Sequence, residues 1–253
     1  MPTNRSLVKR LRAAVNRHLA PRRHSVLLAA IIVAFAVRPL VGDTGAGSAI
    51  FGVALVLLLL LALYNINIDE MVGERGRLLA QSRRRLIFGW TLATAAAVER
   101  VLIVFVESRM LYLVGSICWL LFAVFVTVSE LRSVLKQRAI TSETICMAVS
   151  IYLFLAFSWT FLYILIFQLN PDSFAGLAAV KPGHPMALQH IFPVIGYFSL
   201  TTLSTIGFGD ITPLTLQARY AAVAEGIAGQ FYLAILVARL VGMQMSQAVS
   251  PRT

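Results

Sequence analysis

Charge is scarce in this chain. Asp, Glu, Lys and Arg make up 13% of its 253 residues, about half the share usual in a soluble domain. With 58% hydrophobic residues and a mean hydropathy of +0.80, that scarcity excludes an ordinary soluble fold and points to a polytopic membrane protein. Acids are scarcer still, 11 against 22 bases, for a net charge of +11. The excess is no nucleic-acid patch, because the bases fall in the gaps between apolar runs, where lipid headgroups would sit. Cysteine is nearly absent. Cys118 and Cys146 both lie within apolar runs and read as free, buried thiols rather than a disulfide. No internal repeat is visible. The first apolar run starts only at Ser25; the polar leader is long for a signal peptide and lacks a small-residue cleavage site, so an uncleaved anchor is expected.

What is abundant is apolar sequence in long runs. A spanning helix needs roughly 20 apolar residues, and six stretches qualify: Ser25–Val41, Ser48–Ile66, Leu86–Val106, Leu111–Val128, Thr144–Leu169 and Leu216–Val241. A seventh, Ile191–Leu203, is too short to span. It fits a re-entrant helix, which is tolerated at membrane depth only where protein surrounds it. The expected organisation is a cytoplasmic basic segment (1–24), a four-helix transmembrane domain (25–131), a cytoplasmic linker (132–143), a second membrane domain with the short apolar stretch (144–242) and a short cytoplasmic tail (243–253).

Lys and Arg placement sets the expected orientation. Residues 1–24 hold seven bases; Arg75, Arg77, Arg83, Arg84 and Arg85 follow the second span, and Arg132, Lys136 and Arg138 the fourth. Six spans put all of these on one side with Arg239 and Arg252, against Arg38, Arg109, Lys181 and Arg219 on the other. Both termini are therefore expected in the cytoplasm. Residues 5–19 carry Leu7, Val8, Leu11, Val15 and Leu19 on one helical face and Arg5, Lys9 and Arg12 elsewhere. That pattern suits a helix lying on the anionic inner leaflet; a disordered basic tail is the alternative.

Between the short apolar stretch and the last span runs Thr201-Thr202-Leu203-Ser204-Thr205-Ile206-Gly207-Phe208-Gly209-Asp210. Two glycines at alternate positions adopt φ > 0 without a Cβ penalty, so successive carbonyls can turn toward one axis. Four such strands would stack rings of oxygen that replace the hydration shell of K⁺. The run resembles the potassium-channel selectivity filter, usually Thr-Val-Gly-Tyr-Gly-Asp. The resemblance extends over about 144–242. Pro193 stands where that family starts its pore helix, at a turn where its missing N–H costs nothing. Arg219 and a Gly229 matching the family's inner-helix hinge also agree.

The resemblance implies roles. Thr205 supplies a carbonyl and its hydroxyl at the inner filter entrance; Ile206, Gly207 and Phe208 supply carbonyls. Gly209 ends the strand, and Asp210 adds negative potential at the outer mouth. Tyr197, Phe198 and Thr201 support the filter from the pore helix, whose C-terminal dipole end favours a cation in the cavity. Gln230, Leu233, Val237 and Val241 face the cavity and inner gate, with a lipid or subunit face as the plainer reading of their periodicity. Phe208 replaces the usual tyrosine and lacks its hydroxyl, which predicts a less firmly held filter. Glu225, two turns into the last span, is a functional candidate by its place in the membrane. Equally, it is a carboxyl hydrogen-bonded behind the filter to Ser199 or Thr201.

A voltage sensor needs arginines spaced by three along the fourth span, and residues 111–128 have no base. Glu99, Arg100, Glu107, Arg38 and Arg109 are expected in ion pairs near the outer side of the bundle. His184 and His190 read as solvated loop residues. The expectation is an all-α membrane protein with six transmembrane helices, a re-entrant pore helix and a filter loop. It would be a homotetramer in the cell membrane, not an enzyme, with K⁺ as permeant ion, no nucleic-acid partner and weak or no voltage dependence. A weakly selective cation channel, or a transport or scaffold subunit, is the alternative.

Overall fold

The computed structural model describes residues 22–41, 45–73, 79–105, 108–137, 140–177 and 188–249. Residues 5–19 and His184, and the side chains of Arg38, Arg100, Glu107 and His190, lie outside the described residues.

Helices dominate, as an apolar chain in lipid must satisfy its backbone within each segment. They are α1 (Arg23–Val41), α2 (Gly45–Gly73), α3 (Leu79–Phe105), α4 (Arg109–Lys136), α5 (Ser142–Leu169), α6 (Leu188–Leu203) and α7 (Leu216–Val249). A single 3-10 turn, Pro171–Ser173, follows α5. The two-residue strands β1 (Phe174–Ala175) and β2 (Thr212–Pro213) pair antiparallel. Among the described residues, three helices are long and apolar enough to cross a membrane: Arg109–Lys136, Ser142–Leu169 and Leu216–Arg239. The apolar parts of the others, Arg23–Val37, Ile50–Ile66, Ile87–Glu99 and Ile191–Leu203, are shorter.

Several helix ends run past the expected spans, among them α2 to Gly73, α3 from Leu79 and α7 to Val249, and two further boundaries bear on the site. Helix α4 continues through Lys136, five residues into the expected linker, so the connection to α5 is only 137–141. Polar residues at a helix end do not stop it once it has left the apolar layer. Helix α6 starts at Leu188, which puts Pro193 inside the helix rather than in its first turn. The proline removes only the bond to the Gln189 carbonyl, near the helix's N-terminus.

Charged side chains from one helix close the ends of another. The Glu143 carboxylate accepts the backbone N–H groups of His24 (2.9 Å) and Ser25 (3.3 Å) and the Ser25 hydroxyl. These are first-turn amides of α1, which have no intrahelical partner and carry the positive end of the dipole. Helix α5 is itself capped by Thr141, in a reciprocal pair with Thr144. Arg239 of α7 donates to the carbonyls of Leu135 (2.7 Å) and Gln137 (3.0 Å), at the negative end of α4.

An aromatic core ties the elements together. Phe192 on α6 meets Phe51 of α2 (centroids 5.2 Å), and Phe157 (5.2 Å) and Phe161 (5.6 Å) of α5. Phe35 of α1 packs edge-on to Phe157 at 4.5 Å, and Trp119 of α4 stacks on Phe161 at 5.6 Å. Each such pair contributes about 0.5–1.5 kcal/mol beyond area burial, so α6 is clamped by the helices around its outer half. At the start of α4 Arg109 donates to the Gln168 carbonyl (3.2 Å), and further along it Trp119 donates its indole N–H to Glu99 (3.4 Å). Cys118 and Cys146 are free thiols.

Candidate functional site

The residues after α6 are held from above. Its last turn leaves carbonyls without helical partners, and the Thr201 carbonyl accepts the amides of Ile206 (2.9 Å) and Gly207 (3.1 Å). The Thr202 carbonyl takes the Thr205 N–H (3.0 Å). The strand that follows is thereby folded back beneath the helix.

Its backbone alternates in handedness. Thr205 has φ 59°, Gly207 53° and Gly209 80°, while Ile206 and Phe208 keep negative φ. Left-handed geometry is free for glycine and costly for threonine. Alternating it residue by residue turns successive peptide planes so that their carbonyls face one side. Among the described residues, no donor meets the carbonyls of Thr205, Ile206, Gly207 or Phe208, and Thr205 through Asp210 are exposed in the single chain.

Supports converge from three helices. Tyr197 lies parallel to Phe208 (centroids 6.2 Å, 2°), with its hydroxyl on the side of the Asp210 carboxylate. Phe198 is buried between Tyr163 (5.0 Å) and Phe174 (5.4 Å). The Thr201 hydroxyl donates to the Phe198 carbonyl (3.0 Å), so it is not the partner of Glu225. Glu225 instead meets two hydroxyls: Tyr163 Oη donates to Oε2 at 2.6 Å, and Ser199 Oγ lies 2.5 Å from Oε1. Ser199 Oγ also lies 2.9 Å from the Ala156 carbonyl oxygen.

Gln230 Nε2 donates to Thr205 Oγ1 (3.2 Å), bringing α7 into contact with the turn after α6. Leu233, Val237 and Val241 are exposed on α7. Gly229 sits where α7 crosses the end of α6. A Cβ there would run into the Leu203 carbonyl oxygen and meet Leu203 Cδ1 at 3.0 Å. That carbonyl accepts the Tyr152 hydroxyl (3.1 Å). Helix α7 continues unbroken through Gly229, so here the glycine serves a close approach.

At the outer end, the Leu214 N–H donates to the Ser173 carbonyl (2.8 Å) beside the β1–β2 pair. Gly176, at φ 84°, leaves no room for a Cβ against the Asp210 carbonyl. This clasp fixes the segment after the filter to the end of α5. Sequence reading did not single out Tyr152, Tyr163 or Gly176 and took Arg239 only as an orientation marker. A tyrosine in an apolar run carries no local signal of its hydroxyl's distant partner.

Residues 189–245 match the family model described as "Ion channel". No curated protein and no solved structure matches the chain. The matched stretch covers α6, the turn after it and most of α7, so an ion-channel domain lies over these elements of the site, while α5 is outside it.

Proposed function

We propose that the chain is one quarter of a homotetrameric, potassium-selective channel that conducts K⁺ passively, with weak or no voltage dependence. The observation that carries this reading is the alternating handedness of Thr205, Gly207 and Gly209, with four successive carbonyls left without donors. At membrane depth an unpaired carbonyl costs several kcal/mol (order ~2–7). A ring of identical strands around dehydrated K⁺ supplies the missing partner. Thr205, Ile206, Gly207 and Phe208 are the proposed ligands, with Asp210 at the outer mouth. Gln230, Leu233, Val237 and Val241 line the cavity in this reading. The apolar face of α7 at Tyr220, Ile227 and Phe231, exposed in one chain, packs on neighbouring subunits.

Helix α4 carries Arg109 at its first position and no further base before Arg132. A charge crossing the field contributes about 2.3 kcal/mol per 100 mV, and α4 offers none at its centre. In the same reading the chain crosses the cell membrane six times with both termini cytoplasmic, and residues 5–19 lie on anionic lipid.

The test is Rb⁺ and K⁺ flux into liposomes holding the purified protein, with Na⁺ as control and Ba²⁺ as blocker. Selective, Ba²⁺-sensitive flux from a four-fold particle is expected. Equal Na⁺ and K⁺ flux, or a particle without four-fold symmetry, would refute it.

A further inference from the structure

Glu225 is enclosed. It is 0% exposed in the single chain, so neither lipid nor a neighbouring subunit can touch it. Its two oxygens meet hydroxyls on two other elements, Tyr163 of α5 and Ser199 of α6.

The hydrogens can be counted. Tyr163 has one, directed at Oε2. Ser199 has one, yet its oxygen lies at hydrogen-bond distance from both Glu225 Oε1 (2.5 Å) and the Ala156 carbonyl (2.9 Å). A carbonyl never donates. With a bare carboxylate, one hydrogen must serve both approaches and one pair of oxygens meets with no proton between. A proton on Oε1 closes the set. Glu225 then donates to Ser199, Ser199 donates to Ala156, and Tyr163 donates to Glu225. The Ala156 carbonyl, which also accepts the Thr160 hydroxyl (2.7 Å), is the acceptor at the end of the relay.

The surroundings agree. Among the described residues no Arg, Lys or His side chain pairs with Glu225. The titratable groups that face it are Tyr163 and Tyr152, both from α5, and α6 offers only Ser199. A buried carboxyl with no cation takes up a proton rather than hold its charge.

We infer that Glu225 is carried as the neutral acid and is the hydrogen donor that locks α7 to the pore helix through Ser199, so that losing this one proton releases the filter's support. The inference rests on the channel reading and deepens it. On deprotonation the proton goes to solvent, and the Ser199 hydrogen turns from Ala156 to the new carboxylate. The Ser199 and Ala156 oxygens are then left facing each other, and α6 loses its hydrogen bond to the α5 backbone. Glu225 acts on the filter through Ser199, as a positioning residue.

The experiment is an infrared titration of the full-length protein in liposomes, wild type minus Glu225→Gln, with Rb⁺ flux followed over the same pH series. At neutral pH the difference spectrum is expected to hold the carbonyl stretch of a protonated carboxylic acid. That band should disappear as pH rises, with a parallel loss of wild-type flux. Gln keeps an N–H donor toward Ser199 and cannot ionise, so the flux of the variant should lose this pH dependence. Ser199→Ala, which removes the acceptor, should shift the acid band. A carboxylate signal for Glu225 at neutral pH overturns the inference, as does a Glu225→Gln flux that follows the wild-type pH profile. The two readings fail separately. An acid band in a protein that passes no K⁺ sinks the channel and leaves the protonation. Selective K⁺ flux with an ionised Glu225 does the reverse.

Discussion

Replacing Gly229 by alanine separates two roles for this glycine. Resemblance to potassium channels makes it a hinge. The packing makes it the point where α7 touches the end of the pore helix. Were flexibility its only contribution, alanine would stabilise the helix by about 0.5–1 kcal/mol. The structure argues otherwise, because the new methyl would collide with the Leu203 carbonyl oxygen and meet its carbon at 3.2 Å. That oxygen belongs to backbone and is fixed from the far side by the Tyr152 hydroxyl, so α7 or the helix end must move. Overpacking of this kind costs about 1–3 kcal/mol, and breaking the tyrosine bond adds about 1 kcal/mol. Set against the helix gain, the net is a loss of about 1–3 kcal/mol in each chain. Leu203 stands two residues before Thr205, so the displacement enters the filter. Thermal unfolding of the purified protein and Rb⁺ flux should both fall. Leu203→Ala on the same background should not rescue them, because the carbonyl remains. A Gly229→Ala protein that melts at or above the wild-type temperature would refute the close-approach argument.

Arg239→Gln removes charged donors from the carbonyls of Leu135 and Gln137, each bond contributing about 1.5–3 kcal/mol. Single-channel recording should show an altered open probability with an unchanged K⁺ to Na⁺ permeability ratio; the opposite pattern would place Arg239 in the conduction path. Gln230→Leu frees the Thr205 hydroxyl from its amide partner. Losing one bond of about 1 kcal/mol should weaken Ba²⁺ block by roughly fivefold, and unchanged block would show that the hydroxyl is positioned without Gln230. Cysteines at Phe35 and Phe157, whose rings are 4.5 Å apart, in a chain with Cys118 and Cys146 replaced, should be joined by a short thiol cross-linker within one chain. A dimer on a denaturing gel would mean that α1 leans on a neighbour.

The alternating backbone after α6 was legible because what it requires is local. Thr205 to Asp210 are consecutive, and the need for φ > 0 selects glycine at Gly207 and Gly209 directly. Glu225 stood out because a carboxylate in an apolar span is expensive, and Ser199 was one of two partners expected from α6. Its other partner, Tyr163, lies 62 residues away in a run where any hydroxyl could equally face solvent or lipid. Thr201 was expected to serve through its side chain. It serves through its carbonyl, which any residue there would supply, so its identity carried no signal. Pro193 marked the right helix and the wrong turn, since proline is tolerated wherever the carbonyl one turn earlier can be left free.

The short link between α4 and α5 has a consequence for how the first four helices reach the gate. Five residues, 137–141, join them, and a chain of that length spans at most about 18 Å. The two helices pack side by side, with the Thr127 and Ser158 hydroxyls 3.2 Å apart and Trp119 stacked on Phe161. Helices α1, α2 and α4 therefore stand against the α5 and α6 of their own chain, with α3 packed on α2 and α4. Near the α4–α5 link two charge-assisted contacts cross between α1–α4 and the helices that follow: Glu143 of α5 on the N-terminus of α1, and Arg239 of α7 on the C-terminus of α4. Both use the orphan groups and dipole of a helix end, so each is lost if either helix slides by about one turn, ~5.4 Å. Arg239 lies between Val237 and Val241, the residues proposed for the gate. A movement of α4 along its axis would therefore disturb α7 at Arg239, within the stretch proposed for the gate, and no arginine ladder on α4 is needed for that contact.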